Sequence, residues 1–348
     1  MRLSSGLFVA GTWMIVASTC LSAPAAEAYK VINQLKVGGE GGFDYVFADT
    51  EGRRLYIPRT GGSTGRVTVF ELDTLKSVGE IPNTNSVHGV AIDPKSNHGF
   101  SSSKPVVMFD IKTLKTIKTI EVEGNPDAIL FDPATERVFV LSHRSPNATA
   151  IDAKDGSVLG TIDLGGAPEQ AVSDGHGQVY VDIEDKDNVA VVDANSLTVT
   201  THFDLAGKGG GPAGLALDAK NHVLFACCRK PQTVVILNAD NGNIISSLPI
   251  GSGVDGAVFN PNTMEAFSSQ RDGTLTIVKE VNPGSYKVEQ NVQTKLGAKT
   301  CTLDTKTNHI FLITAEQAPP SAQSQGGGQG RRGGRWLPDS FRILVVGR

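Results

Sequence analysis

Long apolar runs are scarce in this chain of 348 residues. Beyond the first 28 positions none approaches the ~18 residues that a membrane-crossing helix needs, so no span is expected in the body of the protein. Cysteine is scarce as well. Of four in all, Cys227, Cys228 and Cys301 lie past residue 28, an odd number without a spaced framework, which argues against a disulfide scaffold and for small buried thiols. Charged residues make up 20% with a net charge of −4, so nothing calls for a polyanionic partner. No Cys-x-x-Cys-His is present to attach a c-type haem. The glycine-rich "GKGGGP" at 207–212 joins two β-rich runs and opens no helix, which argues against a phosphate cradle.

What the chain does have is glycine, 39 residues, and a repeat. "NPDAILFDPATERVFVLS" at 125–142 recurs as "FDYVFADTEGRRLYIPR" at 43, "VHGVAIDPKSNHGFSSS" at 87 and "PEQAVSDGHGQVYVDIE" at 168. It returns as "PAGLALDAKNHVLFACC" at 212, "VDGAVFNPNTMEAFSSQ" at 254 and "AKTCTLDTKTNHIFLIT" at 298. The turn Asp or Asn falls at 49, 93, 132, 174, 218, 260 and 304, with steps of 44, 39, 42, 44, 42 and 44 residues. A period in the low forties built of short β runs specifies one propeller blade per unit. The expected fold class is therefore an all-β, seven-bladed propeller of four-stranded antiparallel blades.

Residues 125–165 spell out one blade. Ala128–Phe131 is expected as an inner strand buried on both faces, "DPATE" as the hairpin turn, and Arg137–Leu141 as the second strand. Ala148–Asp152, the tight turn "AKDG" and Val158–Asp163 complete it. The turn aspartates, Asp132 among them, are read as acceptors for local backbone N–H groups. Blades are expected at about 41–82, 85–123, 124–165, 166–206, 209–251, 252–295 and 296–348. The last unit has three strands of its own, and "YKVINQLKVGG" near the start looks like every other fourth strand. Strand 30–37 is therefore expected to complete blade 7 and seal the ring.

"MRLSSGLFVAGTWMIVASTCLSAPAAEA" reads as a secretory signal over residues 1–28. Arg2 forms the positive end, Leu7–Ser18 the apolar stretch, and Ala26-Glu27-Ala28 the small-residue cleavage site. Export to a bacterial periplasm, or secretion, follows as the expectation, with a monomer starting near Tyr29. Residues 316–340 are rich in Gly, Pro and Gln and read as a flexible loop inside the last blade. They carry Arg331, Arg332, Arg335 and Trp336, a combination that suggests nucleic-acid contact as an alternative, although the overall charge argues against it.

The repeat "G-x-P-x-A-I-x-F-D-P-x-T-x-R-V-F-V" with "V-x-D-A-K-D-G-x-V-x-G-T-I-D-L-G" resembles the YVTN/YncE-like β-propeller repeat proteins, within a wider group of lactonase-type and haem d1-type propellers. The resemblance covers essentially the whole chain past the signal. It implies an exported bacterial propeller with a binding or envelope role, and the lactonase relatives imply a hydrolase as the alternative. "YIPR", "FVLS" and "YVDI" stand where the tetrapeptide would be, and no unit ends in Trp-Asp. An eight-bladed haem d1 domain would need one more unit.

Five residues before each turn position stand Asp44, His88, Asp127, Glu169, Ala213, Asp255 and Lys299. In a propeller these positions surround one end of the central channel. The loops after each second strand add Arg59, Lys104, His143, Arg144, Glu184, Asp185, Arg229, Arg271 and Glu316 to the same face. Ionisable groups at the mouth of a core strand need a cause, since carboxylates ~4 Å apart repel by roughly 4 kcal/mol at an effective dielectric of 20. Three readings follow. The mouth is a solvated funnel whose acids pair with Arg59, Arg229 and Arg271. Or it is a site for a small molecule or an envelope protein. Or it holds a divalent cation on Asp44, Asp127, Glu169 and Asp255 with His88. His88 beside a carboxylate also has the parts for acid–base work in a hydrolase.

Overall fold

The computed structural model describes residues 27–61, 65–317 and 336–348. The signal-like segment up to residue 26 and the loop stretch 318–335, with Arg331, Arg332 and Arg335, lie outside the described residues. Among those described, no helix is long and apolar enough to cross a membrane.

Seven four-stranded antiparallel sheets form the seven blades of the propeller. Blade 3 runs Pro126–Asp132, Arg137–Ser142, Asn147–Asp152 and Val158–Asp163, as the repeat predicts to within two residues. Its inner strand departs from expectation in one respect. Ile129, Leu130 and Phe131 are half-buried rather than enclosed, because an innermost strand has a sheet neighbour on one side only and its other edge borders the channel. The expected closure is present. Lys30–Lys36 pairs antiparallel with Arg342–Gly347 and becomes the outer strand of blade 7 beside His309–Thr314 and Cys301–Asp304. Pairing these two strands completes blade 7 and leaves no gap between the last blade and the first.

Every second strand carries an aromatic at the same place: Tyr56, Phe100, Phe139, Tyr180, Phe225, Phe267 and Phe311, all buried. These rings fill the wedges between blades, where apolar burial supplies most of the stabilisation. The turn residues do what the sequence predicts. Asp49, Asp93, Asp132, Asp174, Asp218, Asn260 and Asp304 each accept a hydrogen bond from a backbone N–H two to four residues ahead. Cys227, Cys228 and Cys301 are buried free thiols. Burial pushes the Cys301 thiol up to about 12, which keeps it a protonated thiol at neutral pH.

Candidate functional site: a charged belt at the channel mouth

The inner-strand entries do meet around the mouth, and their charges alternate. Asp127 of blade 3 lies 3.4 Å from His88 Nδ1 of blade 2, which lies 2.7 Å from Asp44 of blade 1. Lys299 of blade 7 donates to Asp44 at 3.0 Å and also pairs with Asp255 of blade 6. Arg229 of blade 5 bridges Asp255, Glu184 and, at 3.5 Å, Glu169 of blade 4. His143 closes the circle back to blade 3, with Nδ1 3.5 Å from Glu169 and Nε2 3.7 Å from Glu184. Blade 5 offers only Ala213 as its entry residue, and Arg229 from the end of its second strand stands in for the missing charge.

The belt is lopsided. On the arc of blades 5, 6, 7 and 1 the cations are permanent. Burial opposes charge on Lys299, but Asp255 and Asp44 outweigh it and hold the ammonium above its usual range. Burial likewise opposes charge on Asp44, and Lys299 with His88 outweighs it, bringing that carboxyl down to about 2. On the arc of blades 2, 3 and 4, among the described residues, the basic side chains in the ring itself are the imidazoles of His88 and His143, and Arg229 reaches in from blade 5 to Glu169 and Glu184. Burial raises the Asp127 carboxyl, and His88 and His143 compensate only in part. Burial and then the Asp255 carboxylate push Glu169 well above the carboxylate range. His88 keeps its proton above its ordinary value because Asp44 and Asp127 outweigh its burial.

Two side chains floor the belt, and the sequence reading passed over both. The Tyr45 hydroxyl crosses from blade 1 to donate to Glu169 Oε2 at 3.1 Å. The Gln170 amide crosses from blade 4, accepting from Leu215 N and Ala257 N and donating to Ala257 O. Each directly follows a belt residue. The corresponding residues of the other blades are Gly89, Ala128, Gly214, Gly256 and Thr300, so two large side chains among small ones were the available signal. Asp182 was also missed. It is buried in the second strand of blade 4 with neither oxygen hydrogen-bonded. The Gly214 N–H faces it without reaching bonding geometry, and burial drives its pKa well above the usual carboxylate range.

The expected arginine pairing is corrected in two of three cases. Arg59 is buried away from the acids, donating to the Gly38 and Glu40 carbonyls with its guanidinium 3.8 Å over the Phe341 ring. Arg271 is exposed and has no part in the belt's ion pairs. Of these three arginines, Arg229 alone pairs with the acids of the mouth. The four-carboxylate cation set is corrected too, because Asp255 is clasped by Lys299 and Arg229, and Glu169 faces Arg229. A metal ion cannot share those oxygens with fixed cations. On the rim, Lys104 donates to Gly124 O and Asn125, and Arg144 and Glu316 are exposed.

Seven four-stranded blades, closed by the N-terminal strand, make a seven-bladed β-propeller with an ionic belt at one end of its channel, and the sequence is weakly similar to that of YncE. The chain is 22% identical over 194 residues to the uncharacterized protein YncE of Salmonella typhi, covering 53% of this chain and 54% of that protein. The same figures hold for the uncharacterized protein YncE of Salmonella typhimurium. The chain thus spans about half the length of the curated relatives it matches. Hydrazine synthase of Kuenenia stuttgartiensis shares the fold with a TM-score of 0.67 at 16% identity, over 78% of this chain and 92% of that one. At that identity the likeness is one of fold alone. No family model matches the chain.

Proposed function

We propose that this propeller is an exported binding protein whose ligand sits on the belt and carries positive charge. The observation that supports the reading is the shortage of cations on one arc. Asp127 lies desolvated beside nothing more positive than His88 and His143, and Glu169 has only a 3.5 Å contact with the Arg229 guanidinium, which it shares with Asp255 and Glu184; their side chains are 24% and 11% exposed. Fold physics asks for no acid there, since Ala213 serves blade 5 equally well. An amine or guanidinium entering from solvent would relieve both carboxyls, and the blind floor of Tyr45 and Gln170 would keep it at the mouth. Export rests on the signal-like N-terminus.

A thermal-shift panel tests this. Putrescine, spermidine, arginine and a lysine-containing tripeptide are compared with lactones of the same size, all in EDTA. Stabilisation by the amines supports the reading, and a ligand at 100 times its Kd adds about 2.7 kcal/mol. Turnover of a lactone that vanishes in His88→Ala would favour instead a hydrolase working through the His88–Asp44 pair. Silence from the whole panel would count against both.

A further inference from the structure

We propose that Asp44, His88 and Asp127 form a binding site for one divalent transition-metal ion of the zinc class. The inference deepens the reading of the belt as a binding site and rests on it. One nitrogen, His88 Nδ1, faces a single oxygen of each acid, Asp44 Oδ2 at 2.7 Å and Asp127 Oδ1 at 3.4 Å. Metal–ligand bonds of about 2.0–2.2 Å in a tetrahedral site put ligand atoms roughly 3.4 Å apart. The His88–Asp127 edge already has that length, and Asp44 need withdraw by less than an ångström. The three ligands come from equivalent positions on consecutive blades, so the scaffold that sets them is the rigid inner ring.

Charge and outer contacts agree. Lys299 holds Asp44 Oδ1 at 3.0 Å, which turns Oδ2 towards His88 as a second-layer hydrogen bond does in built metal sites. With His88 neutral, Asp44 and Asp127 bring two carboxylates to the trio, and only Asp44 shares its charge with a fixed cation, Lys299. A donor set of one imidazole and two carboxylates suits zinc rather than calcium or magnesium, which want oxygen throughout. With the His88 side chain 33% exposed, further coordination positions open to the mouth.

The neighbouring trio of His143, Glu169 and Glu184 fails the same test. Its two acids face different nitrogens of one ring, and the Arg229 guanidinium already lies on both. One imidazole cannot turn two nitrogens to one ion.

Binding must displace the His88 proton and any proton on Asp127, so metal uptake releases acid. The test is a zinc chloride titration of the EDTA-stripped, dialysed full chain by calorimetry in two buffers of different ionisation enthalpy. Metal content after gel filtration is measured alongside. The expected result is one equivalent with proton release, weakened at least tenfold in His88→Gln and in Asp127→Asn. His222→Gln removes an exposed His–Asp pair outside the belt and should change nothing. Folding of each variant is checked by its thermal melt, and cobalt(II) visible bands give a second readout on the unmutated protein. Zinc uptake that is absent, or equal in His88→Gln and the parent, overturns the proposal. Persisting spermidine stabilisation in EDTA would then leave the belt reading standing, whereas loss of both would remove it too.

Discussion

The Tyr45 hydroxyl donates to Glu169 Oε2 across the channel, joining blade 1 to blade 4 at 3.1 Å beneath the belt. Because Glu169 is nearly enclosed and shares Arg229 with Asp255 and Glu184, this neutral donor on its other oxygen is one of its few supports. Tyr45→Phe should cost about 1 kcal/mol of unfolding free energy, the usual net value of a hydrogen bond. Urea denaturation of the two proteins measures it, and an unchanged midpoint would mean that solvent already serves Glu169.

Arg229 is the single side chain that neutralises three acids of the belt. Removing one partner of a buried ionic network typically costs about 3–5 kcal/mol, and the partial exposure of Arg229 places Arg229→Ala at the low end, about 3 kcal/mol. Lysine keeps the charge but not the fork, so Arg229→Lys should fall between. Chemical denaturation at pH 7 ranks the three proteins.

Two aspartates five residues apart in one strand should behave in opposite ways. Asp132 accepts from Thr135 N, Thr135 Oγ1 and Ser173 Oγ, so Asp132→Ala should destabilise by about 1–3 kcal/mol. Asp127 is a carboxyl kept from water, and Asp127→Asn should leave stability equal or raised. Parallel melts of the two variants decide the matter.

Asp182 and His88 give pH signatures of known sign. The folded pKa of Asp182 lies above its unfolded value, so its contribution is whole below the unfolded pKa and is lost as pH rises. Relative to the parent, Asp182→Asn should gain up to about 1.4 kcal/mol per pH unit above pH ~4, until the folded group ionises. His88 is also raised in the folded state. Its contribution is complete below an unfolded pKa of about 6.5 and fades above it, so the parent's advantage over His88→Gln should be largest near pH 6 and shrink towards pH 8. Unfolding curves from pH 4.5 to 8.5 check both.

The blades, their count, the capped turns and the closing strand could be read from the sequence because each rests on local chemistry repeated seven times. The belt could be read only in part. Counting back from the turn residue put Asp44, His88, Asp127, Glu169, Asp255 and Lys299 on one ring, and they are there. Their partners could not be counted, because pairing across blades depends on side-chain reach. Arg59 and Arg229 leave equivalent strands, yet one turns under the Phe341 ring and the other into the acids. Tyr45 reaches Glu169 from blade 1 to blade 4, and Gln170 reaches Ala257 from blade 4 to blade 6, contacts between blades that are not neighbours in the chain.

The most direct test of the belt as a ligand site is the thermal shift given by spermidine to the parent and to the Asp127→Asn/Glu169→Gln double variant, side by side in EDTA. Stabilisation of the parent that disappears in a folded double variant is the predicted result. Equal shifts in both proteins, or none in either, would contradict it and leave the belt a self-paired ionic ring open to water.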